Sequence, residues 1–113
     1  SGGLSVAPGP VRRAVRSYDG ISDAWIMATP DAKWGHVVTA LVIPQQMPSD
    51  AVEMAELGSS VREHAAARIG RAQAPRRVVA IDSLPYLGYD KIDRAAAADA
   101  ATRAVGTERE WVR

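Results

Sequence analysis

The spacing of apolar residues changes along this chain between a helical and a strand-like period. Four apolar residues near the N-terminus share the i, i+3, i+4, i+7 spacing of one helix face: Val11, Ala14, Val15 and Tyr18. This spacing predicts a short amphipathic helix over residues 10–18. The arginines of that segment are expected on its solvent-facing side: Arg12, Arg13 and Arg16.

Three apolar runs have the length and composition of strands. Residues 21–28 include Trp25, and residues 37–43 are apolar on both faces, which predicts a central strand. The connection over residues 31–35 is short enough for these two strands to pair antiparallel. After Pro75, residues 77–81 predict a third strand in the same sheet.

Two further helices are predicted from their caps and their spacing. Asp50 and Glu53 have the spacing of a capping box, and the helix that follows is expected to stop at Gly70. Asp93 can cap an alanine-rich last helix that ends before Gly106. Residues 107–113 are expected to form a loose tail.

Together these elements predict one α+β domain over residues 1–106. Its small, mainly antiparallel sheet of three strands packs with three helices, and the pattern leaves room for an additional short N-terminal hairpin.

Composition excludes several classes of function. The 113 residues carry 14 basic and 13 acidic side chains, so no strong field favours nucleic acid or a membrane surface as a partner. The chain has no cysteine, which excludes disulfides and thiolate metal sites and fits a cytoplasmic protein. The apolar run over residues 37–43 is far shorter than the roughly 20 residues that span a bilayer. His36 and His64 lie in different elements, so no metal site is expected.

One loop carries the strongest candidate chemistry. The segment Leu84-Pro85-Tyr86-Leu87-Gly88-Tyr89-Asp90-Lys91-Ile92-Asp93-Arg94 places a lysine between the third strand and the last helix. A lysine ammonium is a compact charge on a flexible stem, which suits contact with a phosphate or a carboxylate. The alternative is an ordinary solvated lysine.

Four motifs, in order, resemble the C-terminal domain of the adenylate-forming superfamily, which includes acyl-CoA synthetases, peptide-synthetase adenylation domains and luciferases. They are Ser1-Gly2-Gly3, Pro30-Asp31 with Trp34-Gly35, Pro75-Arg76-Arg77, and Leu84-Pro85 with Lys91-Ile92-Asp93-Arg94. The resemblance implies a mobile lid of an AMP-forming ligase that joins a carboxylic acid to CoA with ATP. It also implies an N-terminal ATP-binding domain, absent from this chain, as the partner that would hold Mg²⁺.

The resemblance assigns roles to individual residues. It implies that Lys91 is the catalytic lysine of adenylation, and that Gly2 and Gly3 line a pantetheine tunnel. Trp34 matches a position near CoA, with packing at the sheet edge as the alternative, and either Arg76 or Arg77 could meet the CoA phosphates. Asp90 precedes Lys91 where the family usually has glycine.

The opening Ser-Gly-Gly-Leu-x-Val-x-Pro and the later Ala-Pro-Arg are most similar to actinobacterial o-succinylbenzoate–CoA ligases of menaquinone biosynthesis. Two alternatives stay open. One is an adenylation lid that serves a carrier protein, and the other is a stand-alone, non-catalytic binding module of the same fold.

Overall fold

The structure is a computed structural model that describes residues 8–113. Its elements are, in chain order, α1 (Pro8–Arg16), β1 (Ile21–Asp31), β2 (Gly35–Pro44), α2 (Ala51–Ile69), β3 (Arg77–Ala80), α3 (Arg94–Ala104) and β4 (Glu110–Val112). These elements confirm the predicted α+β class. From Pro8 onward the chain begins with a helix and not with a hairpin, while residues 1–7 lie outside the described part. None of the helices over residues 8–113 has the length and apolar character needed to cross a membrane.

The four strands of the described residues form one mixed sheet in the order β1-β2-β3-β4. β1 pairs antiparallel with β2, as predicted, with Trp25 opposite Leu41. β2 pairs parallel with β3 because α2 carries the chain back across the sheet before β3 begins. β3 pairs antiparallel with β4. The central position predicted for residues 37–43 is therefore confirmed.

Each face of the sheet is covered, which explains why β2 is apolar on both sides. Val38, Ala40 and Val42 pack into a core with α1 and α2, whereas Leu41 packs into a second core with α3. Leu84 and Ile92, which flank the lysine loop, belong to this second core. The loop is therefore held against the α3 side of the sheet.

The C-terminal residues correct the sequence analysis, because the expected loose tail contains β4. Trp111 of this strand packs against α2 at Gly58, where an added Cβ would come within 2.5 Å of the Trp111 Cβ. Glu110 Oε2 lies 2.9 Å from Arg77 Nε, a close ion pair without the alignment of a hydrogen bond. A three-residue strand shows no usable periodicity, and its stability comes from these distant partners.

The predicted helix caps of α2 and α3 are confirmed. The Asp50 side chain accepts a hydrogen bond from the Glu53 N–H, and Glu53 reaches back to the Ser49 N–H. The Asp93 side chain accepts from the Ala96 N–H at 3.0 Å. This second cap, two residues after Lys91, fixes the start of α3 at Arg94.

Candidate functional site

The Lys91 loop, residues 86–92, is closed by its own backbone. Tyr86 and Ile92 form an isolated antiparallel bridge, and the Leu87 N–H donates to the Lys91 carbonyl at 2.6 Å. Two residues in the loop have left-handed backbone, Gly88 with φ 84° and Asp90 with φ 53°. Asp90 thus takes a conformation that glycine adopts without strain. The result is a short hairpin-like loop with Lys91 near its end.

The Lys91 side chain is exposed, while its neighbour Ile92 is buried in the second core. Across residues 8–113, no carboxylate lies within ion-pair distance of the Lys91 ammonium, including that of Asp90. Tyr89, at the loop tip, is 98% exposed. The loop therefore presents at the surface a cation that has no acidic partner in the described part of the chain.

Tyr86 anchors the start of this loop to β1 and α1. Its hydroxyl donates to Asp23 Oδ2 and accepts from the Arg12 guanidinium at 3.0 Å. Arg12 also lies 3.3 Å from Asp23 Oδ1 and donates through Nε to the Ala24 carbonyl at 2.6 Å. The expected solvent-facing role is therefore wrong for Arg12. The sequence analysis missed this cluster, and its one visible signal was an aspartate within a strand.

The same contacts set the protonation of the two acidic groups. Burial alone would raise the pKa of Asp23, but the Tyr86 hydrogen bond, the Ala24 N–H, and the charges of Arg12 and Arg16 together lower it. Burial and then the Asp23 carboxylate raise the pKa of the Tyr86 phenol above its ordinary value. Asp23 is therefore ionised, and Tyr86 protonated, near neutral pH.

The Trp34 turn, residues 31–35, joins β1 to β2. Asp31 Oδ1 accepts from the Lys33 and Trp34 N–H groups at 2.8 Å and 2.9 Å. The Trp34 ring is 51% exposed, with the Arg76 guanidinium 4.4 Å and the Lys33 ammonium 5.2 Å from its centre. The turn therefore holds an aromatic ring against two cations at the surface, not in the interior of the sheet.

Arg77 differs from its neighbour Arg76 because its guanidinium is buried and paired with two carboxylates. It donates to Thr29 Oγ1 at 2.6 Å and to the Pro30 carbonyl at 2.9 Å. It also lies 3.2 Å from Asp31 Oδ2 and pairs with Glu110. These contacts tie β1, β3 and β4 together, so Arg77 has a structural position in this chain.

The predicted site residues therefore fall into separate places. Asp23, near the start of β1, supports the Lys91 loop, and Asp31, at its end, supports the Trp34 turn. Eight residues of strand at about 3.3 Å each place these two aspartates roughly 26 Å apart along β1. Gly2 and Gly3 lie outside the described residues. Within residues 8–113, no group of three or more potential metal ligands comes together.

Comparison with known proteins gives the family. Residues 13–88 match the family model for the AMP-binding enzyme C-terminal domain. The chain is 35% identical to the medium/long-chain-fatty-acid–CoA ligase FadD8 of Mycobacterium tuberculosis, over 94% of this chain and 19% of that protein. It is 31% identical to a probable 2-succinylbenzoate–CoA ligase of the same species, over 85% of this chain and 24% of that protein.

A solved Mycobacterium tuberculosis fatty acyl CoA synthetase has the same fold, with a TM-score of 0.70 and 26% identity. That likeness covers 90% of this chain and 19% of the synthetase chain. The chain thus spans about a fifth of the length of the first relatives it matches. Since the family match covers well over half of the 113 residues, the chain belongs to the AMP-binding enzyme C-terminal domain family.

Proposed function

We propose that this chain is the mobile C-terminal domain of an AMP-forming carboxylate–CoA ligase, and that Lys91 is its catalytic residue in adenylation. The observation that supports this most directly is the exposed Lys91 ammonium, which has no acidic partner in the described residues. It sits on a closed loop over a buried core, in a chain of the AMP-binding enzyme C-terminal family.

The chemistry of adenylation explains why such a cation would be needed. A carboxylate must attack the α-phosphate of ATP, so two anions approach each other while negative charge builds up on the phosphoryl oxygens. A preplaced cation in a site without water lowers that barrier electrostatically. Lys91 would supply this charge when the domain closes over the N-terminal domain of the same ligase. Mg²⁺ would be held by that other domain.

In the second half-reaction, CoA would bind at the Trp34 turn, at the opposite end of β1 from the Lys91 loop. Trp34 offers a half-exposed aromatic face, and Arg76 beside it offers a cation. A ring and a guanidinium at this spacing can hold a purine and its phosphate groups. Arg77 is already occupied by Asp31 and Glu110, so we propose Trp34 and Arg76 as the CoA contacts. The predicted pantetheine role of Gly2 and Gly3 remains a prediction.

The identity of the carboxylic acid substrate is a more specific proposal than the ligase activity. One relative is named for fatty acids at 35% identity and another for 2-succinylbenzoate at 31% identity. We keep o-succinylbenzoate, and with it menaquinone biosynthesis, as one candidate beside fatty acids. A panel of both acids with the full-length ligase would separate them by the rate of pyrophosphate release.

The decisive experiment times the two half-reactions of the full-length ligase separately. Lys91→Ala should slow pyrophosphate release by about 10²- to 10³-fold, because one well-placed charge is lost. Thioester formation from supplied acyl-adenylate should be nearly unchanged. Trp34→Ala should show the opposite pattern, with a higher KM for CoA and normal adenylation.

Controls separate this proposal from its two alternatives. Lys33→Ala removes the chain's other lysine and should leave adenylation unchanged. Transfer to a carrier protein but not to CoA would favour the carrier-protein lid. Normal adenylation in Lys91→Ala would rule out the proposed catalytic role of Lys91.

A further inference from the structure

Both ends of the Lys91 loop are held by one face of β1. Tyr86, at the start of the loop, donates to Asp23. Arg94, just after the loop, lies with its guanidinium carbon 5.8 Å from the centre of the Trp25 ring. Asp23 and Trp25 are two residues apart in a strand, so their side chains point to the same side of the sheet. β1 therefore holds the loop at both ends.

Arg12 connects this face to the opposite layer of the domain. α1 packs in the first core, whereas the ends of the Lys91 loop pack in the second. β1 is an edge strand, and the Arg12 Nε binds the Ala24 carbonyl of that edge. The rest of the guanidinium passes around the edge to Tyr86 and lies 5.6 Å from the Trp25 ring centre. The loop is thereby fixed to both layers.

We propose that Tyr86, held by Asp23 and Arg12, is a positioning residue that fixes the orientation of the Lys91 loop for adenylation. This inference rests on the proposed function. The lysine stem is flexible, so the backbone of the loop decides which space the ammonium can reach. A displacement of about 1 Å at a reacting centre can cost as much as two orders of magnitude in rate. Tyr86 itself need not touch the substrate.

The test compares two phenol-to-phenyl substitutions in one loop. Tyr86→Phe removes the hydroxyl that Asp23 and Arg12 bind, while Tyr89→Phe removes a hydroxyl at a 98% exposed position. In the 113-residue chain, Tyr86→Phe should speed hydrogen exchange at the Leu87 amide about tenfold. That amide is the donor that closes the loop onto Lys91. Tyr89→Phe should leave the exchange rate unchanged.

In the full-length ligase, Tyr86→Phe should slow adenylation about tenfold and leave KM for the acid and thioester formation unchanged. Tm should stay nearly unchanged, because water can replace the lost hydroxyl at this exposed contact. Tyr89→Phe should match the wild type in all four measurements. Equal slowing of both half-reactions with a lower Tm would mean a general structural role and would overturn the inference. So would unchanged adenylation, or slowed adenylation with unchanged exchange at Leu87.

The Lys91→Ala variant distinguishes a failure of the positioning role from a failure of the proposed function. Slow adenylation in Lys91→Ala with normal adenylation in Tyr86→Phe overturns the positioning role alone. Normal adenylation in Lys91→Ala overturns the proposed function, and the positioning role fails with it.

Discussion

The Trp34 turn and the Lys91 loop are each held by an aspartate of β1 and an arginine from another element, but the two anchors differ in depth. At the Trp34 turn, the Asp31 and Arg77 side chains are 13% and 8% exposed. At the Lys91 loop, Asp23 and Arg12 are each 24% exposed. Asp31 also caps its own turn, whereas Asp23 reaches the loop only through Tyr86, 63 positions away.

This difference assigns the two anchors different mechanical roles. Arg77 of the inner strand β3 pairs with Asp31 and also with the little-exposed Glu110, so the loss of the guanidinium leaves the Glu110 carboxylate without a cation in a covered position. The Asp23–Arg12–Tyr86 cluster lies at the sheet edge, where water can replace a lost partner. The Trp34 turn is therefore tied to the sheet through the little-exposed Arg77 side chain, while the Lys91 loop is tied to it through a more exposed cluster.

The largest expected effect comes from Arg77→Met, with Arg12→Met as the matched substitution at the other anchor. Arg77→Met should lower the free energy of unfolding of the 113-residue chain by about 3–5 kcal/mol, because the Glu110 carboxylate, only 10% exposed, loses its cation. Arg12→Met should cost about 1 kcal/mol or less. Urea denaturation of both variants checks the difference. Equal losses would contradict the contrast between a buried and a surface anchor.

The comparison also shows which parts of the site the sequence could predict. The Trp34 turn was predictable because its cap, from Asp31 to Trp34, spans three residues. The end of the Lys91 loop was predictable for the same reason, because the Asp93 cap of α3 spans three residues. The Asp23–Tyr86 contact was not visible, since no local pattern links residues 63 positions apart.

The same limit explains the strand that the sequence analysis missed. β4 depends on Trp111 meeting Gly58 and on Glu110 meeting Arg77, both far along the chain. A glycine within a helix has no local advantage, and its purpose becomes clear only when its partner is known.

A smaller loss of stability is expected when the pH falls, and it should weaken both the Asp31 and the Asp23 anchor. Hydrogen bonds from the Trp34 and Lys33 N–H groups lower the pKa of Asp31. Burial opposes this shift, and the charges of Arg77 and Arg76 add to it. The pKa of Asp23 is also lowered. A carboxyl with a lowered folded-state pKa stabilises the fold fully above its unfolded pKa, near 3.8. That contribution is lost as the pH falls through the folded-state value.

Carboxyl NMR titration from about pH 5 to pH 2 would measure both groups. Both midpoints should lie below 3.8 in the wild-type chain. Tyr86→Phe should raise the Asp23 midpoint and leave the Asp31 midpoint unchanged, because only Asp23 binds the phenol. A midpoint at or above 3.8 for either group in the wild type would contradict the geometry of its anchor.

The smallest effect concerns the left-handed residues of the two segments. The left-handed residue of the Trp34 turn is a glycine, Gly35, with φ 79°, whereas the Lys91 loop has Gly88, with φ 84°, and also a residue with a side chain, Asp90, with φ 53°. A left-handed backbone costs most side chains about 1–2 kcal/mol, but aspartate and asparagine tolerate it better. Glycine avoids the strain but gains freedom in the unfolded chain, which costs roughly 0.5–1 kcal/mol. Asp90→Gly should therefore change the free energy of unfolding by less than about 0.5 kcal/mol.

The matched variants at this position are Asp90→Asn and Asp90→Ala. Asp90→Asn keeps the shape and tolerance of the side chain and should match the wild type in stability. Asp90→Ala keeps a Cβ without that tolerance and should be about 1 kcal/mol less stable than Asp90→Gly. Urea denaturation of the three variants gives the order. If alanine proved as stable as glycine, the left-handed conformation of residue 90 would not constrain the loop, and Tyr86 would hold Lys91 without help from its neighbour.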